Sequence, residues 1–121
     1  MIRLRRAYDT QATEDGKRFL VDRLWPRGVK KDELDIAGWP KAVAPSTELR
    51  KWFGHDPQRW NEFQRRYRQE LASQQTALAP LLDAARHGNV TLVYGARDTH
   101  HNEAVVLKQV LDELLAQPRR G

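Results

Sequence analysis

Residues 90 to 94 read VTLVY, a run too apolar to leave either of its sides in water. A strand of this kind must be covered on both faces, which restricts the chain to layered arrangements with a sheet between other elements. Two further strands are expected beside it. Residues 2 to 7, IRLRRA, alternate apolar and basic with period two and suit a half-buried strand. Phe19 to Leu24 make a more apolar strand that stops at Pro26.

The covering elements read mainly as helices. KKDELDIA (30 to 37) has the look of a short helix closed by Gly38, and WPKAVAPS is irregular because its prolines exclude a helix interior. Ser46 is expected to cap the helix TELRKWFG, which Gly54 ends. Asp56 followed by Pro57 opens another, with Trp60, Phe63, Tyr67 and Leu71 on one face. Residues 73 to 76 interrupt it, and a further helix runs through LAPLLDAARHG to Gly88-Asn89. The last helix presents Leu107, Val110, Leu111 and Leu114 as its buried stripe, and 117 to 121 is expected to fray. The expectation is a single domain over 1 to 121, α/β in class, with a small layered architecture and a short central sheet of about three to four strands flanked by helices. At 121 residues the chain is long enough to bury a sizeable core.

Composition excludes several function classes. Cysteine is absent, which removes disulfides, thiolate nucleophiles and cysteine-ligated zinc. No apolar run is long enough for a secretory signal or a membrane span, so a cytoplasmic location and no membrane partner are expected. Glycine-rich phosphate loops are missing, and no cofactor is expected. The formal charge is +5, with 15 arginines among 21 basic residues. Arginine captures phosphate and carboxylate with paired N–H donors, so an anionic ligand is permitted, as is an arginine-rich solvated face.

The stretch DRLWPRG (22 to 28) holds two guanidinium groups and an indole in a turn that needs neither. In layered α/β domains ligands collect beyond the carboxyl ends of strands. Asp22, Arg23, Trp25 and Arg27 leave the second strand there, Arg97 and Asp98 leave the third, and Ser46 to Arg50 begin a helix. The candidate ligand-binding set is Arg23, Trp25, Arg27, Ser46, Arg50, Tyr94, Arg97 and Asn102, around a small phosphate or carboxylate. Internal salt bridges to Asp22, Glu48 or Asp98 are the competing reading. A reaction is left open, with Asp22, Asp98, His55 and Ser46 as candidates for proton transfer or a hydroxyl role. Ser46 lies outside any GxSxG elbow, and its capping role accounts for it. Asp98 with His100 and His101 lacks metal-ligand spacing, so no metal is expected.

Two readings of other classes stand beside this one. A nucleic-acid module would use Arg59, Arg65, Arg66 and Arg68 interleaved with Trp60 and Tyr67, although these aromatics fall on the stripe read as core. A non-catalytic interaction protein is the other, with oligomeric state left open.

Three stretches, LVDRLWPRG (20 to 28), APSTELRKWFGHDPQRW (44 to 60) and TLVYGARDTHHNEAVVL (91 to 107), together resemble the YeaO-like proteins, the family known as domain of unknown function 488. The resemblance covers nearly the whole chain and implies a small bacterial-type α/β domain with no settled activity. Carried over by residue, it marks Asp22, Arg23, Trp25, Pro26, Arg27 and Gly28. It also marks Pro45, Ser46, Glu48, Leu49 and Arg50, then Tyr94, Ala96, Arg97, Asp98 and Asn102. Some similar proteins carry cysteines near the positions of Tyr94 and Asn102. Thiol or metal chemistry in those proteins does not transfer to a chain without cysteine.

Overall fold

The structure, a computed structural model, describes residues 1–117. Three strands, β1 (Ile2–Arg6), β2 (Lys17–Leu20) and β3 (Val90–Tyr94), form one sheet in the order β1-β3-β2, with both outer strands parallel to β3. Every residue of β3 is buried, as its apolar run requires of a strand paired on both edges and covered on both faces. The α/β layered reading holds, with three strands in the sheet.

Four helices follow the second strand or the third: α1 (Thr47–Phe53), α2 (Trp60–Ala72), α3 (Gln75–His87) and α4 (Glu103–Ala116). They pack on one face of the sheet in a core shared with Ile2, Val21, Val90, Leu92 and Tyr94. Its centre is an aromatic row in which Phe53 stacks on Phe63 at 4.3 Å between centroids and Phe63 meets Tyr67 at 5.7 Å. The fully buried Tyr67 hydroxyl donates to the Val43 carbonyl, so the one polar atom of the row is satisfied.

The other face is covered differently. The predicted helix over 30 to 37 does not form; the segment is a series of turns. Leu34 packs on Ala7, Leu20 and Val93, with Trp25, Val29, Ile36 and Trp39 around it. Its backbone bonds go to the sheet: the Ala37 N–H donates to Arg18 O at 2.6 Å, and Gly38 O accepts from the Leu20 N–H at 3.1 Å. These bonds also cover the outer edge of β2. Strand β2 is likewise shifted from the predicted 19 to 24, because chain pairing with β3 ends one residue beyond it, with the Val21 N–H on Val93 O.

Local signals are realised closely elsewhere. The Ser46 hydroxyl accepts the Leu49 N–H at 3.1 Å and caps α1, which Gly54 closes in the left-handed conformation. Asp56 accepts the Gln58 N–H at 2.9 Å, with Pro57 at the start of a short 3-10 turn leading into α2. The helical break falls at Ser73 and Gln74, and α3 begins three residues before the predicted Leu78. Leu107 and Leu111 of α4 are fully buried, whereas Val110 and Leu114 pack at the margin of the core. The fraying expected for the tail falls, beyond Gln117, on residues outside those described.

The link from β1 to β2 crosses the sheet and carries a buried charge cluster. Asp15, 1% exposed, receives Arg5 Nε at 2.7 Å and Arg18 Nη1 at 2.5 Å, while Thr91 Oγ1 of β3 donates to its carbonyl at 2.8 Å. Burial works to raise the Asp15 carboxyl, but the Ala12 N–H and the two guanidinium groups outweigh it and hold it below its ordinary value. Removing one member of such a buried group strands the others. Asp15→Ala is expected to cost about 3–5 kcal/mol by leaving Arg18 buried and unpaired, and urea unfolding followed by far-UV circular dichroism checks the loss.

Candidate functional site

Because all three strands run the same way, the segments that follow them emerge along one edge of the sheet, and a cavity of about 660 Å³ opens there. Its wall takes Arg6 and Tyr8 from the end of β1, Asp22 to Arg27 from the end of β2, and Gly95, Ala96 and Arg97 from the end of β3. Arg50, Phe53 and His55 of the α1 region, Phe63 of α2, and Asn102 and Glu103 at the start of α4 complete it with Pro45. Arg27, Arg50 and Arg97 are exposed at the mouth, Arg6 and Arg23 are half-buried, and Phe53 and Phe63 lie at the bottom.

The turn that carries Arg27 is pinned from three sides. The Val29 N–H reaches back toward Pro26 O at 3.4 Å, and Gly28 takes φ 75°, which the third position of such a turn demands. The Trp25 indole donates to Val29 O at 2.6 Å, and the Tyr8 hydroxyl donates to Arg27 O at 2.9 Å. Trp25 therefore braces the turn, and its ring rests edge-on against Trp39 at 5.6 Å. Deeper in, Arg23 Nε donates to Pro45 O at 3.1 Å and Arg6 Nε to Ala96 O at 2.8 Å. His55 follows Gly54 with both residues at positive φ, a conformation uncommon outside glycine, and this brings its ring to the cavity beside Phe53 at 6.2 Å.

The predicted set divides. Arg23, Trp25, Arg27, Arg50, Arg97 and Asn102 line the cavity, as do Asp22 and His55. Ser46 does not: it lies in a separate shallow depression, where its N–H and hydroxyl donate to the Glu70 carboxylate at 2.8 and 2.7 Å. The expected hydroxyl contribution to the cavity is thus corrected, since Glu70, 24 residues away, holds that group. Tyr94 sits in the core behind the cavity, 3% exposed, where burial above all pushes its phenol up. Asp98 also stays outside the wall. It accepts the N–H groups of His100 and His101 and the His101 ring at 2.8 Å, and these partners hold its carboxyl at about 2. Asn102 caps α4 by accepting the Val105 N–H at 3.2 Å.

Sequence reasoning missed Arg6, Tyr8, Leu24, Phe53, Phe63, Gly95 and Glu103. Arg6 was detectable, since it lies near the carboxyl end of the predicted first strand, where ligands collect by the same rule. Glu103 carries no local signal, and only the tertiary fold brings its carboxyl against that of Asp22. Asp22 is held from the other side, with Oδ2 accepting the Gly95 N–H at 2.8 Å and its carbonyl accepting the Trp39 indole at 2.7 Å.

Electrostatically the cavity is one-sided. Arg5, Arg18, Arg59, Arg65, Arg66 and Arg68 are each ion-paired with a carboxylate. Among the described residues none of the five arginines of the cavity is, and neither Asp22 nor Asp98 pairs with one. Burial first, and then the adjacent Asp22 carboxyl, push Glu103 well above the ordinary range for a carboxyl group. A carboxyl that titrates higher folded than unfolded favours the fold below its unfolded value, near 4.5, and loses that contribution as pH rises toward the folded value. Glu103→Gln, neutral at every pH, is therefore expected to melt several degrees above the parent at about pH 7, with the gap closing near pH 4; calorimetric melts across that range test it.

A family model described as "Inactive DUF488-N3 subclade" matches residues 1–121. The uncharacterized protein Rv3073c of Mycobacterium tuberculosis (strain ATCC 25618 / H37Rv) is 42% identical over 111 residues, covering 92% of this chain and 93% of the relative. The uncharacterized protein YeaO of Escherichia coli (strain K12) is 42% identical over 113 residues, covering 93% of this chain and 98% of the relative. No solved structure matches the chain. Among the described residues no helix is long and apolar enough to cross a membrane. The match along the full chain and the two relatives at this identity establish the assignment: the chain belongs to the DUF488 family of YeaO-like proteins.

Proposed function

We propose that the cavity binds a small anionic ligand through a phosphate or carboxylate group and does so without turnover. The observation that carries this reading is the division of the arginines: among the described residues outside the cavity six of eight are neutralised by carboxylates, Arg3 and Arg86 being the exceptions, and inside it five share the wall with two carboxyls and pair with neither. Clustered guanidinium groups repel one another, and a stability argument alone would pair them. An anion at the mouth would meet Arg27, Arg50 and Arg97 with charge-assisted bonds of about 1.5–3 kcal/mol each. Rigid bracing of the Arg27 turn lowers the ordering cost of that encounter.

Binding rather than catalysis is favoured by two facts. The matching family model carries the word inactive in its description. The four candidates for chemistry also do not assemble, because Ser46 is engaged by Glu70 and Asp98 by His101, both away from Asp22 and His55. A cytoplasmic location suits a ligand of metabolite type. The nucleic-acid reading has less support, since Tyr67 is fully buried and Arg65, Arg66 and Arg68 are occupied by Glu62 and Glu113.

Titration calorimetry with inorganic phosphate and with citrate tests the proposal. Arg27→Ala and Arg97→Ala are each expected to weaken binding about tenfold or more without lowering the melting temperature, because neither side chain holds an ion pair and each removal relieves repulsion. Loss of stability in both variants, with no anion shifting the melt of the parent, would assign the arginines a structural role. A flat electrophoretic shift with single-stranded DNA at low salt is the accompanying expectation.

A further inference from the structure

We propose that the Asp22 and Glu103 carboxyls form a second recognition point in the same cavity and select a ligand that carries a hydroxyl group in addition to its anion. This rests on the anion-binding reading and adds the class of ligand to it. The two carboxyls come from different elements, the end of β2 and the first residue of α4, and face each other in hydrogen-bond contact while lining the cavity. Each is fixed independently. Asp22 is held by the Gly95 N–H and the Trp39 indole, and a Cβ on Gly95 would lie 3.0 Å from Asp22 Oδ2, so this approach depends on glycine. Glu103 is fixed by the α4 start, where Asn102, 1% exposed, both accepts the Val105 N–H and donates to Asp98 O at 2.9 Å.

Burial, together with the adjacent Asp22 carboxyl, raises Glu103 and favours its protonated form, so that one proton serves the pair. The pair then offers one O–H donor beside free acceptor lone pairs, which is the complement of an alcohol. A methyl group there would leave the remaining carboxyl lone pairs without a partner, and an ammonium would enter a space ringed by arginines. Arg27, Arg50 and Arg97 are exposed at the mouth, the rings of Phe53 and Phe63 lie at the bottom, and the carboxyl pair is half-buried, as are Arg6 and Arg23. Leu24 and Tyr8, two of the three exposed large hydrophobic residues, also stand on its wall, which suits a ligand with a carbon skeleton between its polar ends.

The test compares ω-hydroxyalkyl phosphates of four to six carbons with the unsubstituted alkyl phosphates, which carry the same charge. The parent protein is expected to bind the best hydroxylated probe about tenfold more tightly than its counterpart. Asp22→Asn and Glu103→Gln should each reduce that preference below about twofold without weakening alkyl phosphate binding, since either change removes a carboxyl from the anion's surroundings. Gly95→Ala, which crowds the Asp22 carboxyl, should reduce it as well, and Arg27→Ala should weaken both probes equally. Equal affinities in the parent, or a preference untouched in both carboxyl variants, overturn the inference and leave the anion site standing. If neither series binds, the anion site fails and the inference with it.

Discussion

Everything in this molecule hangs on β3 being paired in parallel on both edges. Its five residues are wholly buried, its neighbours run in the same direction, and so three chain segments leave the sheet at one end. Side chains from positions as far apart as Arg6, Arg27 and Arg97 thereby meet around one opening. An antiparallel neighbour on either side would have carried one of these segments to the opposite end and dispersed the charge.

The distribution of charge follows a physical division of labour. On the outer surface of α2, carboxylates at helical spacing satisfy arginines locally, as Glu62 does for Arg65 and Arg66. Inside the fold, Asp15 joins Arg5 and Arg18 and ties the β1-to-β2 crossing to the sheet. At the cavity the pattern breaks: cations stay unpaired while the two acids turn to each other. That concentration of like charge is a cost to folding, and unpaired charge gathered in a cleft is typical of functional rather than structural surfaces.

Legibility of the sequence followed the range of the interaction. Ser46 with Leu49 and Asp56 with Gln58 were readable because donor and acceptor lie within three residues. The helical stripe of Phe63, Tyr67 and Leu71 was readable because periodicity reports burial directly. KKDELDIA was misread for the opposite reason. Its helical composition is real, but Ala37 and Gly38 bond to Arg18 and Leu20, and Leu34 is drawn onto the sheet. Ser46 shows both cases at once, since its cap is local and its bond to Glu70 is not.

From sequence alone the chain determined its α/β class, the buried central strand, the helix caps and the arginines that strand and helix ends would carry. Those features depend on short-range geometry and on hydrophobic period, which are written in adjacent residues. Tertiary structure alone decided which face each segment covers, that Ser46 and Tyr94 lie off the cavity, and that Asp22 meets Glu103 across 81 positions of the chain. Such encounters arise from sheet order and chain packing, and pairs so distant leave no periodic trace in a single sequence.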